Sequence, residues 1–200
     1  MDSNKEIIIS RISSYPKLFN KLSKNYIDDI DFCKKLVSAN NKLFFKLPID
    51  MQKKEEIVQI VLDSITTSDL KFPFEKLFVV EKKQNEQLKK IYCMLGCIRL
   101  YDVLYGKNDF TSKNLLLKDL NIDQGIFLQV FELLNILPPF EHRLLTLKYG
   151  FYDGVVKSDL ELSHILNVSK EKVRIINEQS LRSIRKYIFE INNKKQVIKW

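Results

Sequence analysis

The stretch Ser158-Asp159-Leu160-Glu161-Leu162-Ser163-His164-Ile165-Leu166-Asn167-Val168-Ser169-Lys170-Glu171-Lys172-Val173-Arg174 holds two helix starts separated by a sharp turn. Ser158 can accept from the freed N–H groups of a helix start, and Glu161 at the third position completes a capping box. The helix this predicts, Asp159–Leu166, buries Leu160 or Leu162 together with Ile165 and Leu166. Asn167 is one of the few non-glycine residues that accept a positive φ, which a tight turn here demands. Val168 fills the angle between the two helices, and Ser169 caps the second one, with Lys172 rather than Glu at the third position. That second helix is predicted over Lys170–Ile188. It places Val173, Ile176, Ser180 and Ile184 on one face, flanked by Leu181 and Ile188. The opposite face carries Lys170, Glu171, Arg174, Ile175, Glu178, Arg182 and Arg185. An apolar inner stripe with long polar residues at the exposed N-terminal end is the layout of a recognition helix in a helix-turn-helix.

Upstream, Pro138-Pro139 stops one helix and starts the next, since proline's missing N–H is tolerated in the first turn. Phe140–Tyr149 follows with Leu144, Leu145 and Leu147 as its stripe, and Tyr149-Gly150-Phe151-Tyr152-Asp153-Gly154 reverses the chain. Leu137-Pro138-Pro139-Phe140-Glu141-His142-Arg143-Leu144-Leu145, then Leu147-Lys148-Tyr149-Gly150-Phe151 and Asp153-Gly154, resemble the opening of region 4 of bacterial sigma factors of the sigma-70 family. The likeness continues through Leu162, Val168-Ser169-Lys170-Glu171-Lys172-Val173-Arg174, Ile176, Leu181-Arg182 and Ile184-Arg185, covering about residues 136–190.

The resemblance implies a DNA-binding transcription factor that acts with the RNA polymerase core in promoter recognition or transcription regulation. It implies that Lys148, Lys157, Ser169, Lys170, Glu171, Lys172, Arg174 and Ile175 face double-stranded DNA, and that Arg182 and Arg185 meet polymerase or an activator. The chain departs from the family pattern at several positions. Ile175 stands where the family has a base-reading Gln; it can touch a thymine methyl but cannot make the bidentate contact to adenine. Lys170 and Lys172 replace Arg and lose the fork geometry that suits guanine. Asn177 stands for a usual Glu, Asn167 for a usual Gly, and Ser163 for a small, Gly-like residue. Nothing in residues 1–135 resembles the aromatic-rich, promoter-melting helix of region 2, and the single Trp is Trp200. A region-4-like module that docks on polymerase or another protein without reading sequence is the alternative.

The first third contains an internal repeat. Lys17-Leu18-Phe19-Asn20-Lys21-Leu22 returns as Lys42-Leu43-Phe44-Phe45-Lys46-Leu47, an offset of 25 residues that Ile7/Phe32/Ile57, Ile8/Cys33/Val58 and Ile12/Val37/Leu62 also keep. Each unit reads as a helix, a short turn and a short apolar segment; such units bury their apolar faces only by stacking. Residues 5–68 thereby resemble short helical repeats of the DUF4116 type, a family of unassigned function. This suggests a surface for another transcription regulator.

The middle segment opens after Thr66-Thr67-Ser68 and Phe72-Pro73-Phe74. Its long helix, Glu86–Tyr105, ends at Gly106-Lys107-Asn108-Asp109. Thr111 or Ser112 can cap a short helix through Leu120, Asn121–Gly125 is a turn, and Ile126–Leu137 is a further helix, either a degenerate helix-turn-helix or a packing hairpin. Cys93 and Cys97, one helical turn apart, could supply two metal ligands or simply be buried thiols.

Composition bounds the rest. The 200 residues carry a net charge of +8, of which +6 falls in Val168–Trp200. That basic segment fits either a polyanion-binding face or a solvated helix with a lysine tail. Gly and Pro are scarce at 5 each, against a turn-dense β fold, and no glycine lies in a phosphate-cradling loop. No apolar run reaches the ~18 residues of a membrane span. The three cysteines point to a reducing, cytoplasmic setting without disulfides. The expectation is an all-α protein without cofactor, metal or catalytic residues and so not an enzyme. It divides into a helical repeat platform (1–68), a helical middle (69–135), a region-4-like helix-turn-helix (136–192) and a basic tail (193–200).

Overall fold

The structure, a computed structural model, describes residues 2–67, 69–70, 72–73, 76–77, 82–106, 115–120 and 125–197. The repeat is visible in the element order. Helix α1 (Asp2–Ser14) leads to a 3-10 segment (Pro16–Lys21), then α2 (Lys24–Ile27), α3 (Ile30–Ala39), a second 3-10 segment (Asn41–Lys46), α4 (Ile49–Gln52) and α5 (Glu55–Ser64). Pro16 to Asn41, Lys24 to Ile49 and Ile30 to Glu55 are each 25 residues apart. Helix α3 packs between α1 and α5.

Side-chain caps hold the units in register. Asp29 accepts from the N–H groups of Asp31 (3.0 Å) and Phe32 (3.1 Å) at the start of α3 and pairs across the repeat with Lys5 at 2.6 Å. Asn40 accepts from Lys42 N–H and donates to the Ser13 carbonyl, joining the second 3-10 segment to the end of α1. Phe32, Cys33, Val37, Ile57, Val58 and Leu62 are fully buried, whereas Ile7, at the equivalent site of the outer unit, is 51% exposed. Stacking buries a repeat face only where a neighbour covers it.

Helix α6 (Lys82–Tyr105) crosses the middle of the chain and begins four residues before the expected Glu86. Gln84 Nε2 donates to the Glu55 carbonyl at 3.0 Å, tying α6 to the repeats. Residues 115–117 close against the end of α5: Thr67 N–H donates to the Leu115 carbonyl (2.8 Å) and Leu117 N–H to that of Ile65 (2.9 Å). The expected cap at Thr111 or Ser112 and the turn at 121–124 lie outside the described residues. Helix α7 (Ile126–Asn135) packs on α6 and stops short of Leu137, since Pro138 disfavours a helical conformation just before it.

Three helices complete the chain: α8 (Pro139–Lys148), α9 (Asp159–Leu166) and α10 (Lys170–Val197). Helix α10 runs past the expected end at Ile188 and takes in residues 193–197 of the expected tail. No Gly or Pro interrupts Phe189–Val197, so nothing local stops it. Among the described residues the architecture is all-α, with one isolated antiparallel bridge between Thr66 and Leu116. One hydrophobic core runs from Ile9 in α1 to Ile184 in α10.

Candidate nucleic-acid interface

The helix-turn-helix is built as its local residues dictate. Ser158 N–H and Oγ both donate to Glu161 Oε2 at 2.7 Å, and Glu161 N–H donates back to Ser158 Oγ at 3.3 Å, so the capping box is closed. The box holds the Glu161 carboxyl below its ordinary value, chiefly through the Ser158 hydroxyl. Asn167 sits in the left-handed region at φ 53, and its turn lets Val168 N–H reach the Ser163 carbonyl at 3.1 Å. Ser169 Oγ accepts from Lys172 N–H at 3.1 Å and starts α10. The inner face is as the periodicity predicts: Val173, Ser180, Leu181 and Ile184 are buried, and Ile176 and Ile188 are half-buried. Helix α9 differs. Leu162 is buried and Leu166 half-buried, but Leu160 is 55% exposed and Ile165 is exposed as well. Two residues turn a helix through roughly 200°, so Leu160 cannot share the face of Leu162.

Lys170, Glu171, Lys172, Arg174 and Ile175 are all exposed on the first turns of α10, and Ser169 is exposed just ahead of them. Lys170 and Lys172 have no ion-pair partner among the described residues. Arg174 is held bidentately by Glu171, Nε to Oε2 at 3.1 Å and Nη2 to Oε1 at 2.7 Å, with Glu178 3.7 Å away. This contact lowers the pKa of Glu171 and raises that of Arg174. Lys148 and Lys157 lie side by side, Lys157 N–H donating to the Lys148 carbonyl at 3.1 Å. Each ammonium is paired: Lys148 with Asp159, and Lys157 with Asp153. Asp159, the partner of Lys148, adds only the least of the electrostatic pulls on Arg174, behind Glu171 and Glu178.

Arg182 points into solvent, 3.9 Å from Glu178. Arg185 is exposed but donates from Nη2 to the Val103 carbonyl of α6 at 3.0 Å. That contact and three others are not legible in local pattern. Ser180 Oγ donates to Glu141 Oε2 at 3.1 Å, tying α10 to α8. Phe151 lies against Gly96, where a Cβ would meet its ring at 2.4 Å. Arg99, 7% exposed, donates to the carbonyls of Tyr149 and Leu70. A lone arginine in the apolar run of α6 was the one available signal for this last contact. Cys93 and Cys97 are both free thiols, Cys97 buried and Cys93 half-buried; the hydrogen bond between them pushes the Cys97 thiol up and the Cys93 thiol down. Among the described residues no group of three His, Cys, Asp or Glu gathers to hold a metal, and no helix is long and apolar enough to cross a membrane.

Known proteins resemble part of this chain. It is 38% identical over 77 residues to RNA polymerase sigma factor SigA of Nostoc sp., a match covering 38% of this chain and 17% of that protein. A probable RNA polymerase sigma-C factor of Synechocystis sp. is 43% identical over 54 residues, 27% of this chain and 13% of the relative. SigA of Clostridium acetobutylicum is 35% identical over 57 residues, 28% and 15% of the two chains. The chain thus spans about a sixth of the length of the curated relatives it matches. No protein-family model and no solved structure matches it. The likeness of residues 5–68 to DUF4116-type repeats therefore rests on the repeat alone. Over those 77 residues, the chain resembles the sigma-70 family of bacterial sigma factors.

Proposed function

We propose that this chain is a non-catalytic, sigma-type transcription factor that lays the N-terminal turns of α10 on double-stranded DNA and works with the RNA polymerase core. The observation that carries this reading is the capped α9–Asn167–α10 unit with Lys170, Lys172 and Arg174 exposed at its leading edge. Phosphate contacts fix register, and base edges give specificity. The two lysines suit phosphate; Ile175, exposed at the reading position, offers only apolar contact. The reading is therefore DNA anchoring with shallow sequence discrimination. The likeness that supports this reading is to region 4, so the role proposed is DNA anchoring rather than promoter melting. The N-terminal repeats are the surface offered to another regulator, and Arg182 the side chain offered to polymerase or an activator.

A second reading has its own support. Arg174, Lys148 and Lys157 are all neutralised within the chain, which favours docking on polymerase without base reading. Duplex binding measured from about 50 to 200 mM salt separates the two, since each phosphate neutralised steepens the salt dependence by ~0.9 log units. DNA anchoring predicts a steep slope that falls in the Lys170→Ala/Arg174→Ala double variant. A flat slope, unchanged in that variant and accompanied by retained capture of core polymerase, selects docking.

A further inference from the structure

A cavity of about 540 Å³ opens between the α6–α7 pair and the start of the helix-turn-helix unit. That volume lies within the ~300–1,000 Å³ of small-molecule sites. Phe131 and Leu134 of α7 form one apolar wall, and Phe151 of the chain reversal forms the other. Lys89 and Cys93 reach it from α6, and His142 from α8. Lys89 is exposed and has no ion-pair partner among the described residues, and no described lining residue is acidic. An apolar body is thus favoured by the walls, and a single negative charge by the uncompensated ammonium at the rim. A cationic head group would meet Lys89 with no carboxylate among the described lining residues to offset it.

We propose that this cavity binds a small amphipathic monoanion, a carboxylate with an aliphatic or aromatic body, whose head group pairs with Lys89 while the body lies against Phe131, Leu134 and Phe151. Phe151 is also the ring seated on Gly96. The ligand would therefore touch one of the contacts that hold the helix-turn-helix on α6, beside those of Arg99 and Arg185, and would stabilise the docked arrangement by mass action. The site is independent of the DNA-facing turns of α10.

The test uses the full chain with octanoate, octanol and octylamine, matched in length and differing in head group, titrated by calorimetry. Saturable one-site binding of octanoate is expected, at least tenfold tighter than octanol and tighter still than octylamine. Lys89→Glu, an exposed substitution, should weaken octanoate at least tenfold and reverse its order with octylamine. In the wild-type chain, saturating octanoate should slow alkylation of Cys93 by iodoacetamide severalfold, a readout that needs no variant. Absence of octanoate binding, equal affinity for the three head groups, unchanged affinity in Lys89→Glu, or an unprotected Cys93 would each overturn the proposal.

Discussion

Arg99 Nη1, inside the protein on α6, donates to the carbonyl of Tyr149 at 3.0 Å, at the end of α8. The last carbonyls of a helix lack partners within it, and here a residue fifty positions away supplies one. Arg99 Nη2 serves the Leu70 carbonyl, and burial lowers the guanidinium pKa to about 10. The group is therefore still charged through neutral pH, and its Nε is buried with no hydrogen-bond partner among the described residues. A buried cation is tolerated here because it satisfies carbonyls that would otherwise be orphaned. Arg99→Met leaves both acceptors without this donor, which costs about 1–3 kcal/mol each where no water replaces it. The expected result is a lower urea midpoint, with a deficit that stays constant between pH 5 and 8, well below the range in which Arg99 titrates.

Gly96 allows Phe151 to approach α6. Inside an exposed helix, Gly→Ala gains roughly 0.5–1 kcal/mol. At this site the added methyl would sit 2.4 Å from the Phe151 ring, which is itself buried. Overpacking of this kind costs about 1–3 kcal/mol. Gly96→Ala should therefore destabilise the chain, the reverse of the usual sign, and Gly96→Ala/Phe151→Leu should recover part of the loss in the same denaturation experiment.

The capping box gives a pH dependence with a definite sign. The Ser158 hydroxyl and N–H hold the Glu161 carboxyl below 4.5, so the unfolded chain binds the proton more readily. Such a group contributes stability above its unfolded pKa and loses it as pH falls through the folded one. Wild type should exceed Glu161→Gln in thermal stability above pH 5, and the gap should close as the pH is lowered toward 3. A gap that widens on acidification would contradict this assignment.

On the proposed DNA-anchoring reading, Glu171 limits how much of the Arg174 charge is offered to a phosphate. The pair is exposed and worth little to folding, but it occupies the fork of Arg174 bidentately. Glu171→Gln removes a negative charge and weakens that hold. Duplex affinity at low salt should rise severalfold, with a salt slope steeper by up to ~1 log unit. The Glu171→Gln/Arg174→Ala pair should lose the gain, as fluorescence anisotropy would show.

The legible part of this chain is the part whose contacts close within a few residues. Ser158 with Glu161, Ser169 with Lys172 and Asn167 in the left-handed region are settled by side chains and backbone no more than three positions apart. The 25-residue offset predicted that α3 and α5 would be equivalent units, but not which copies a neighbour covers: Phe32 and Ile57 are buried while Ile7, at the same repeat position, is exposed. The exposed face of α10 followed from the same periodicity. Tertiary structure decided the electrostatics of that face and its mounting. That Lys148 meets Asp159, that Arg185 meets Val103 and that Phe151 rests on Gly96 depends on how separate helices pack. The exposure of Leu160 belongs here too, since α9 offers four apolar residues, Leu160, Leu162, Ile165 and Leu166, and the core takes Leu162 fully and Leu166 in part. Helical phase is a local property of sequence. Which carbonyl is left for Arg99, or which lysine keeps its charge free, exists only once distant segments have been brought together.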